Sequence, residues 1–380
     1  MKVTISVGGK FHAFHLAGQL EKRGYLSGIF TSYPWFALKD SNLPRDKVNC
    51  LAIKEILERV LPKVPFLSKK ADTRYFTANF FDNQVAKRVK PCDIFVGASG
   101  YSLKTIEKIR RSFAAKVIIE RVSSYTETYW DILRQEGDRL GIKLNFPSSR
   151  VIDKELQEYR QADYVAVPSL FAKQTFLANN FPESKLICMP WGVDVDVFRP
   201  ILKGDNVFRI IGVGMRIIKG IHYLLQAVGE LKLKNLELWL IGGGLEPSLE
   251  PFLKKYSGSF RYIGAIPQRD LYKYYSQGSL FVNFALEDGF SMAALEAIAC
   301  GCAVICSDTT GAKDVIRDGI DGFIVPSRDV EALKKKILYL YENMDICRQM
   351  GRQARENITN NFTWDDYGEK IINVYHNLLK

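Results

Sequence analysis

The feature that most limits what this chain can fold into is an alternation. Short apolar runs rich in Val, Ile and Phe alternate with longer stretches of helical period, in both halves of the chain. In the first half the runs are Val3–Val7, Ser27–Thr31, Ile94–Val96, Val117–Glu120 and Tyr164–Val167, with helical patterns near Ala13–Arg23, Leu103–Arg111 and Ile152–Gln161. In the second they are Phe208–Val213, Glu237–Ile241, Phe260–Ile263, Leu280–Asn283, Ala303–Cys306 and Phe323–Val325, with helical patterns over His222–Leu231, Arg269–Ser276 and Met292–Cys300. Strands that are apolar throughout are buried on both faces, and helical crossovers between them make the sheets parallel. Two such series in 380 residues predict an α/β chain of two doubly wound, Rossmann-like domains. The change-over lies in Met189–Pro200, MPWGVDVDVFRP, where two prolines and a glycine break the period. The tail Trp364–Leu379 sets Tyr367, Ile371, Val374, Tyr375 and Leu378 on one helical face. The expected division is therefore 1–188, 189–362, and a last helix over 363–380 that returns to the first domain.

Composition excludes some classes. No apolar run approaches the roughly 20 residues that span a bilayer. The opening MKVTISVGG meets glycine too soon for a secretory core, so a cytoplasmic location is expected. The seven cysteines are scattered, with no C-x-x-C pair, which points to reduced thiols rather than zinc ligands or disulfides. The net charge is +11, and the whole excess lies before residue 190. One domain is thus expected to face something anionic. No interleaved aromatic and basic motif supports nucleic acid as that partner.

Two motifs carry chemistry. Glu287-Asp288-Gly289-Phe290-Ser291-Met292 follows an apolar strand and opens a helix that runs through Glu296. The free N–H groups and positive end of a helix attract a diphosphate. Gly289 admits a close approach of backbone. Asp288 can accept from sugar hydroxyls, and Glu296, about two turns in, from a ribose diol. The second motif, Gly212-Val213-Gly214-Met215-Arg216-Ile217-Ile218-Lys219-Gly220, also joins a strand to a helix. Arg216 and Lys219 place fixed positive charge where a departing diphosphate gains negative charge.

In order along residues 188–330, the stretches GVDVDVF, VGMRIIKGIHYLLQA, LWLIGGG, FRYIGAIPQRDLYKYYSQG, EDGFSMAALEAIACGCAVI and DGIDGFIVP resemble family 4 of the retaining glycosyltransferases. That family has the GT-B architecture, two Rossmann-like domains facing a central cleft. In the first half, VGGKFHAFHLAGQLEKRGY resembles the family's opening glycine loop and first helix. IIERVSSYTETYWDILRQEG and ELQEYRQADYVAVPSLFAKQTF are similar to a bacterial branch. The resemblance implies a hexosyltransferase that uses a nucleotide sugar, UDP-linked by preference, without metal or other cofactor. Its acceptor would be a glycan or lipid-linked saccharide, in polysaccharide or glycolipid synthesis. It assigns Arg216, Lys219 and Asp288 to catalysis. It assigns Gly8, Gly9, Gly214, Ile266, Gly289, Phe290, Ser291, Met292 and Glu296 to the donor. The family usually has glutamate where Asp288 stands, and its arginine lies further from the lysine than Arg216 does here.

The histidine that many relatives carry after the fourth strand is absent, since that region reads Gly97-Ala98-Ser99-Gly100. His12 is the catalytic candidate in its place, with Glu120, Arg121, Ser123 and Ser124 as other acceptor-side candidates. Asp194-Val195-Asp196 has the form of a metal-binding D-x-D but sits in the linker. Around Ile53–Leu67, apolar residues interleave with Lys54 and Arg59, near Lys63, Lys69 and Lys70. Such a stretch can lie on an anionic membrane or pack on the sheet. The competing functions are another enzyme of the same architecture, such as a synthase or phosphorylase, and a nucleotide-sugar sensor that has lost catalysis.

Overall fold

A computed structural model of the protein describes residues 1–10, 12–38, 41–60 and 72–380. Leu61, Lys63, Leu67, Lys69 and Lys70 of the basic stretch lie outside the described residues. The first sheet holds β1 (Val3–Val7), β2 (Leu26–Thr31), β3 (Val48–Cys50), β4 (Ile94–Ala98), β5 (Lys116–Glu120), β6 (Tyr164–Val167) and β7 (Leu186–Cys188). Their order is β3-β2-β1-β4-β5-β6-β7, and every pairing is parallel. The second holds β8 (Phe208–Val213), β9 (Leu236–Ile241), β10 (Arg261–Gly264), β11 (Leu280–Asn283), β12 (Ala303–Ser307) and β13 (Phe323–Val325). It is ordered β10-β9-β8-β11-β12-β13 and is also parallel. This is the doubly wound GT-B fold.

The central strands β1, β11 and β12 are buried at every position, as their unbroken apolar sequences require. The edge strands β3 and β7 are three residues long, too short to show a period, and the sequence pattern missed both. It also missed the helix Thr73–Ala86, whose buried face includes Thr77 and Asp82. There burial does not follow polarity. Asp82 accepts from the backbone of Lys104 and Thr105 and from Lys154 Nζ at 2.9 Å, which satisfies the buried carboxylate.

Two chain crossings join the domains side by side. Val193 in the linker pairs with Thr363 just before the last helix. That helix, Trp364–Leu378, starts with a capping box between Thr363 and Asp366. Its Trp364, Tyr367, Ile371, Ile372 and Tyr375 are buried in the first domain's core with Leu16, Ala17 and Leu20. At about 1.5–3 kcal/mol per buried large side chain, this face anchors the helix.

A third tie is the helix Thr126–Leu140. It belongs to the first half by sequence, yet its Leu133 is buried in the second domain's core, and Tyr129, Trp130, Ile132 and Leu140 pack against it. Its Glu136 is fully buried between domains. Glu136 accepts from Tyr223 Oη at 2.6 Å and Arg328 Nε at 2.8 Å, and lies 3.1 Å from His222 Nε2. All seven cysteines are free thiols, and five are buried.

Candidate active site

Strand order reverses between β8 and β11 in the second sheet and between β1 and β4 in the first. A crevice opens at the carboxyl ends of strands where order reverses. The loops that leave β1, β8 and β11 therefore meet in one cleft. Its cavity is about 730 Å³ and brings together Lys10, His12 and Tyr129 with Arg216, Lys219 and Asp288.

On the second domain's side, the helix Met292–Ala299 points its first turn at the cleft, capped by Ser291, whose hydroxyl accepts from Ala294 N. Only glycine fits at 289. A Cβ there would collide with the carbonyl oxygen of Val122 and the Cα of Ser123 from the other domain. Gly214 has φ +90°, left-handed backbone that glycine adopts without strain. The turn it makes folds Lys219 back, so that Lys219 Nζ lies 2.8 Å from Asp288 Oδ2. Burial opposes the lysine's charge, but Asp288, seconded by Glu287, holds its pKa above the usual value. Asn283 Nδ2 lies 3.4 Å from the same Asp288 oxygen. Arg216 Nη2 is 3.4 Å from Tyr129 Oη. Lys219, Asp288, Gly289, Phe290, Met292 and Arg216 all line the cavity.

Glu296 stands behind that wall. Gln268 Nε2 donates to one of its oxygens at 3.0 Å and Tyr275 Oη to the other at 3.3 Å. Burial pushes its carboxyl up to about 7, against the pull of these two hydrogen bonds. Gln268, rather than Glu296 or Ile266, reaches the cavity; Ile266 packs on the domain core. Phe290 is buried edge-on against Trp191, with centroids 5.7 Å apart, so its side chain packs the hinge side of the cleft. Glu287 binds across the domains, accepting from Ser124 N at 2.7 Å, and burial raises its pKa.

On the first domain's side, His12 Nε2 is 2.9 Å from Glu120 Oε2, and its ring stacks on Trp191 at 4.1 Å. The carbonyls of the glycine loop are turned inward. Gly8 O accepts from Lys54 Nζ at 2.9 Å and Gly9 O from Thr31 Oγ1 at 2.7 Å, and it is Lys10 that faces the cavity. Arg121 is buried on Glu155 at 2.9 Å. Ser123 lines the cavity, and Ser124 does not. In the linker, Asp194 accepts from the backbone of Asp196 and Val197, so this carboxylate caps a turn. Tyr129, Gln268, Trp191 and Lys10 carried no signal of their own in the sequence. Each becomes part of the site through a neighbour distant in the chain.

Residues 207–343 match the family described as Glycosyl transferases group 1. Among relatives, the chain is 25% identical to an uncharacterized glycosyltransferase of Methanocaldococcus jannaschii, over 62% of this chain and 64% of that protein. It is 30% identical to the capsular polysaccharide biosynthesis glycosyltransferase CapM of Staphylococcus aureus, over 47% of this chain and 48% of that one. The chain spans less than two thirds of the length of these relatives. Among solved structures, sucrose-phosphate synthase of Thermosynechococcus elongatus superposes with a TM-score of 0.76 at 18% identity, covering 100% of this chain and 99% of that one. Anabaena HepE in complex with UDP-glucose gives 0.72 at 13%, covering 99% and 100%. At these identities the structures speak to the fold, which all share.

Proposed function

We propose that the protein is a retaining glycosyltransferase of the family 4 type. It would move a hexose from a nucleotide diphosphate sugar, a UDP-sugar by preference, to a glycan or lipid-linked saccharide. The observation that carries this reading is the Lys219–Asp288 pair beside the first turn of Met292–Ala299, inside a cleft walled by both domains. Arg216, Lys219 and the helix N–H groups would hold the diphosphate and stabilise its charge as the bond from the anomeric carbon to it breaks. The acceptor hydroxyl would add to the same face of the sugar, its proton leaving with the diphosphate. Two protein cations supply the charge that a metal would otherwise bring. HepE, which shares the fold, binds UDP-glucose, and CapM serves capsular polysaccharide synthesis; both favour the donor and acceptor classes named.

The test is nucleoside diphosphate release from a panel of UDP- and GDP-sugars, with and without a mixture of lipid-linked and free saccharides. Release that rises with acceptor supports the reading, and none with any donor refutes it. One observation favours a second reading. Asp288 stands where the family has the longer glutamate, and Gly97–Gly100 lacks the family's histidine, departures that a sensor binding nucleotide sugar without transfer would tolerate. Binding of a nucleotide sugar with no release would favour that protein.

The basic excess of the first domain would place the protein on the inner face of the membrane as a peripheral enzyme. No helix among the described residues is long and apolar enough to cross a bilayer. The helix Ile53–Val60 turns Ile53, Ile56 and Val60 outward, each at least half exposed. It turns Lys54 inward, onto Gly8 O and Glu58. Lys54 is thus on the domain side of the helix, and the outward side carries these apolar residues with the exposed Arg59.

A further inference from the structure

The helix Thr126–Leu140 is continuous with the first domain but rides on the second, and one of its side chains reaches the diphosphate pocket. Tyr129, Leu133, Glu136 and Leu140 recur at i, i+4, i+7 and i+11, so they share one face. Leu133 is buried in the second domain's core, with Leu140 packed against it. Glu136 is locked by Tyr223 and Arg328 of that domain. The same face therefore delivers Tyr129 to the cleft, where its hydroxyl stands 3.4 Å from Arg216 Nη2 and its ring lines the cavity with Lys219 and Gly289.

We infer that Tyr129 is a donor-binding residue that completes the diphosphate pocket from the opposite domain. This rests on the donor-site reading given above. The oxygen of the hydroxyl accepts from Arg216. The O–H proton then remains to donate to an anion held between Arg216, Lys219 and the first turn of Met292–Ala299. A hydroxyl adds direction without adding charge, which a second guanidinium would not. It also makes the pocket complete only while the helix Thr126–Leu140 stays docked on the second domain, so docking and diphosphate binding are coupled.

The test is calorimetry of the wild type and Tyr129→Phe with UDP, GDP, uridine and guanosine, taking the tighter diphosphate against its own nucleoside. A hydrogen bond to a charged group is commonly worth about tenfold in affinity. Tyr129→Phe should weaken the diphosphate by about that factor and leave the nucleoside unchanged. The unchanged nucleoside also certifies that the variant is folded. Equal diphosphate affinity in the two proteins overturns the inference while leaving the donor site standing. A wild type in which the diphosphate adds nothing over the nucleoside overturns both.

Discussion

Lys219 and Asp288 pair at 2.8 Å, although each stands at the end of a different loop. They meet because β8 and β11 are neighbours at the point where strand order reverses. The pair sets a positive charge at the place a leaving diphosphate would occupy and a carboxylate beside the sugar it would leave.

Lys219→Ala should therefore lower turnover more than donor affinity. Removing one positioned charge-stabilising group from an active site commonly costs about 10²–10³ in rate. Steady-state turnover and calorimetric affinity, measured on the same preparation, check it. Equal losses in both would mean that the lysine merely binds. Asp288→Asn should weaken a UDP-sugar but not UDP itself.

Glu296 sets a pH dependence. Burial pushes its carboxyl up to about 7, and a ribose bound there would donate to the charged form. Nucleoside binding should therefore release a proton below that pH. Uridine affinity should rise with pH below about 7, by at most about tenfold per unit, and level off above it. Uridine avoids the titration of a terminal phosphate. Glu296→Gln should flatten the profile, and a flat wild-type profile would remove Glu296 from the ribose.

The clasp at Glu136 sets another, at lower pH and from a shift in the opposite direction. Burial opposes its charge, but His222, Tyr223 and Arg328 outweigh this and hold its pKa at about 2, below the ordinary 4.5. A depressed carboxyl stabilises the fold above its unfolded pKa. That contribution is lost as pH falls through about 4.5 towards about 2. Glu136→Gln should melt well below the wild type at neutral pH, since breaking a buried ion pair commonly costs about 3–5 kcal/mol. The gap should close on acidification. A gap independent of pH would assign the loss to packing alone.

Gly289→Ala would drive a methyl into the backbone of Val122 and Ser123. The cleft should open and transfer should fall with it. Small-angle scattering should show a larger radius of gyration at unchanged thermal stability of each domain. An unchanged radius would mean that the contact yields without domain motion.

The basic excess of the first domain, with exposed Arg59 beside the outward Ile53, Ile56 and Val60, should favour anionic vesicles at low salt. Equal sedimentation with neutral and anionic liposomes would remove the membrane from the account. Ile56→Glu should abolish any preference.

Much of this was legible in the sequence because burial on both faces leaves unbroken apolar strands. β1, β6, β8, β11 and β13 lie where the apolar runs stand. The glycine-rich loop before Lys219 and the capped helix after Asp288 were legible for a local reason, since backbone geometry dictates residue type there. What the sequence hid was non-local. Glu287, next to Asp288 in the chain, binds Ser124 of the other domain. The helix Thr126–Leu140 gives no sign along the chain that it docks on the second domain. The carbonyls of Gly8 and Gly9 accept from Lys54 and Thr31, residues distant in the chain that no local pattern pairs with the glycine loop. Pairings of this kind depend on how two sheets face each other, which no local period encodes.

The most direct measurement is a crystal structure of the protein with bound UDP. The account expects the diphosphate between Arg216, Lys219 and the N–H groups of Gly289–Met292, with the ribose at Glu296 and the Tyr129 hydroxyl on the phosphate. A nucleotide seated elsewhere, or turned so that its ribose meets Lys219, would contradict it.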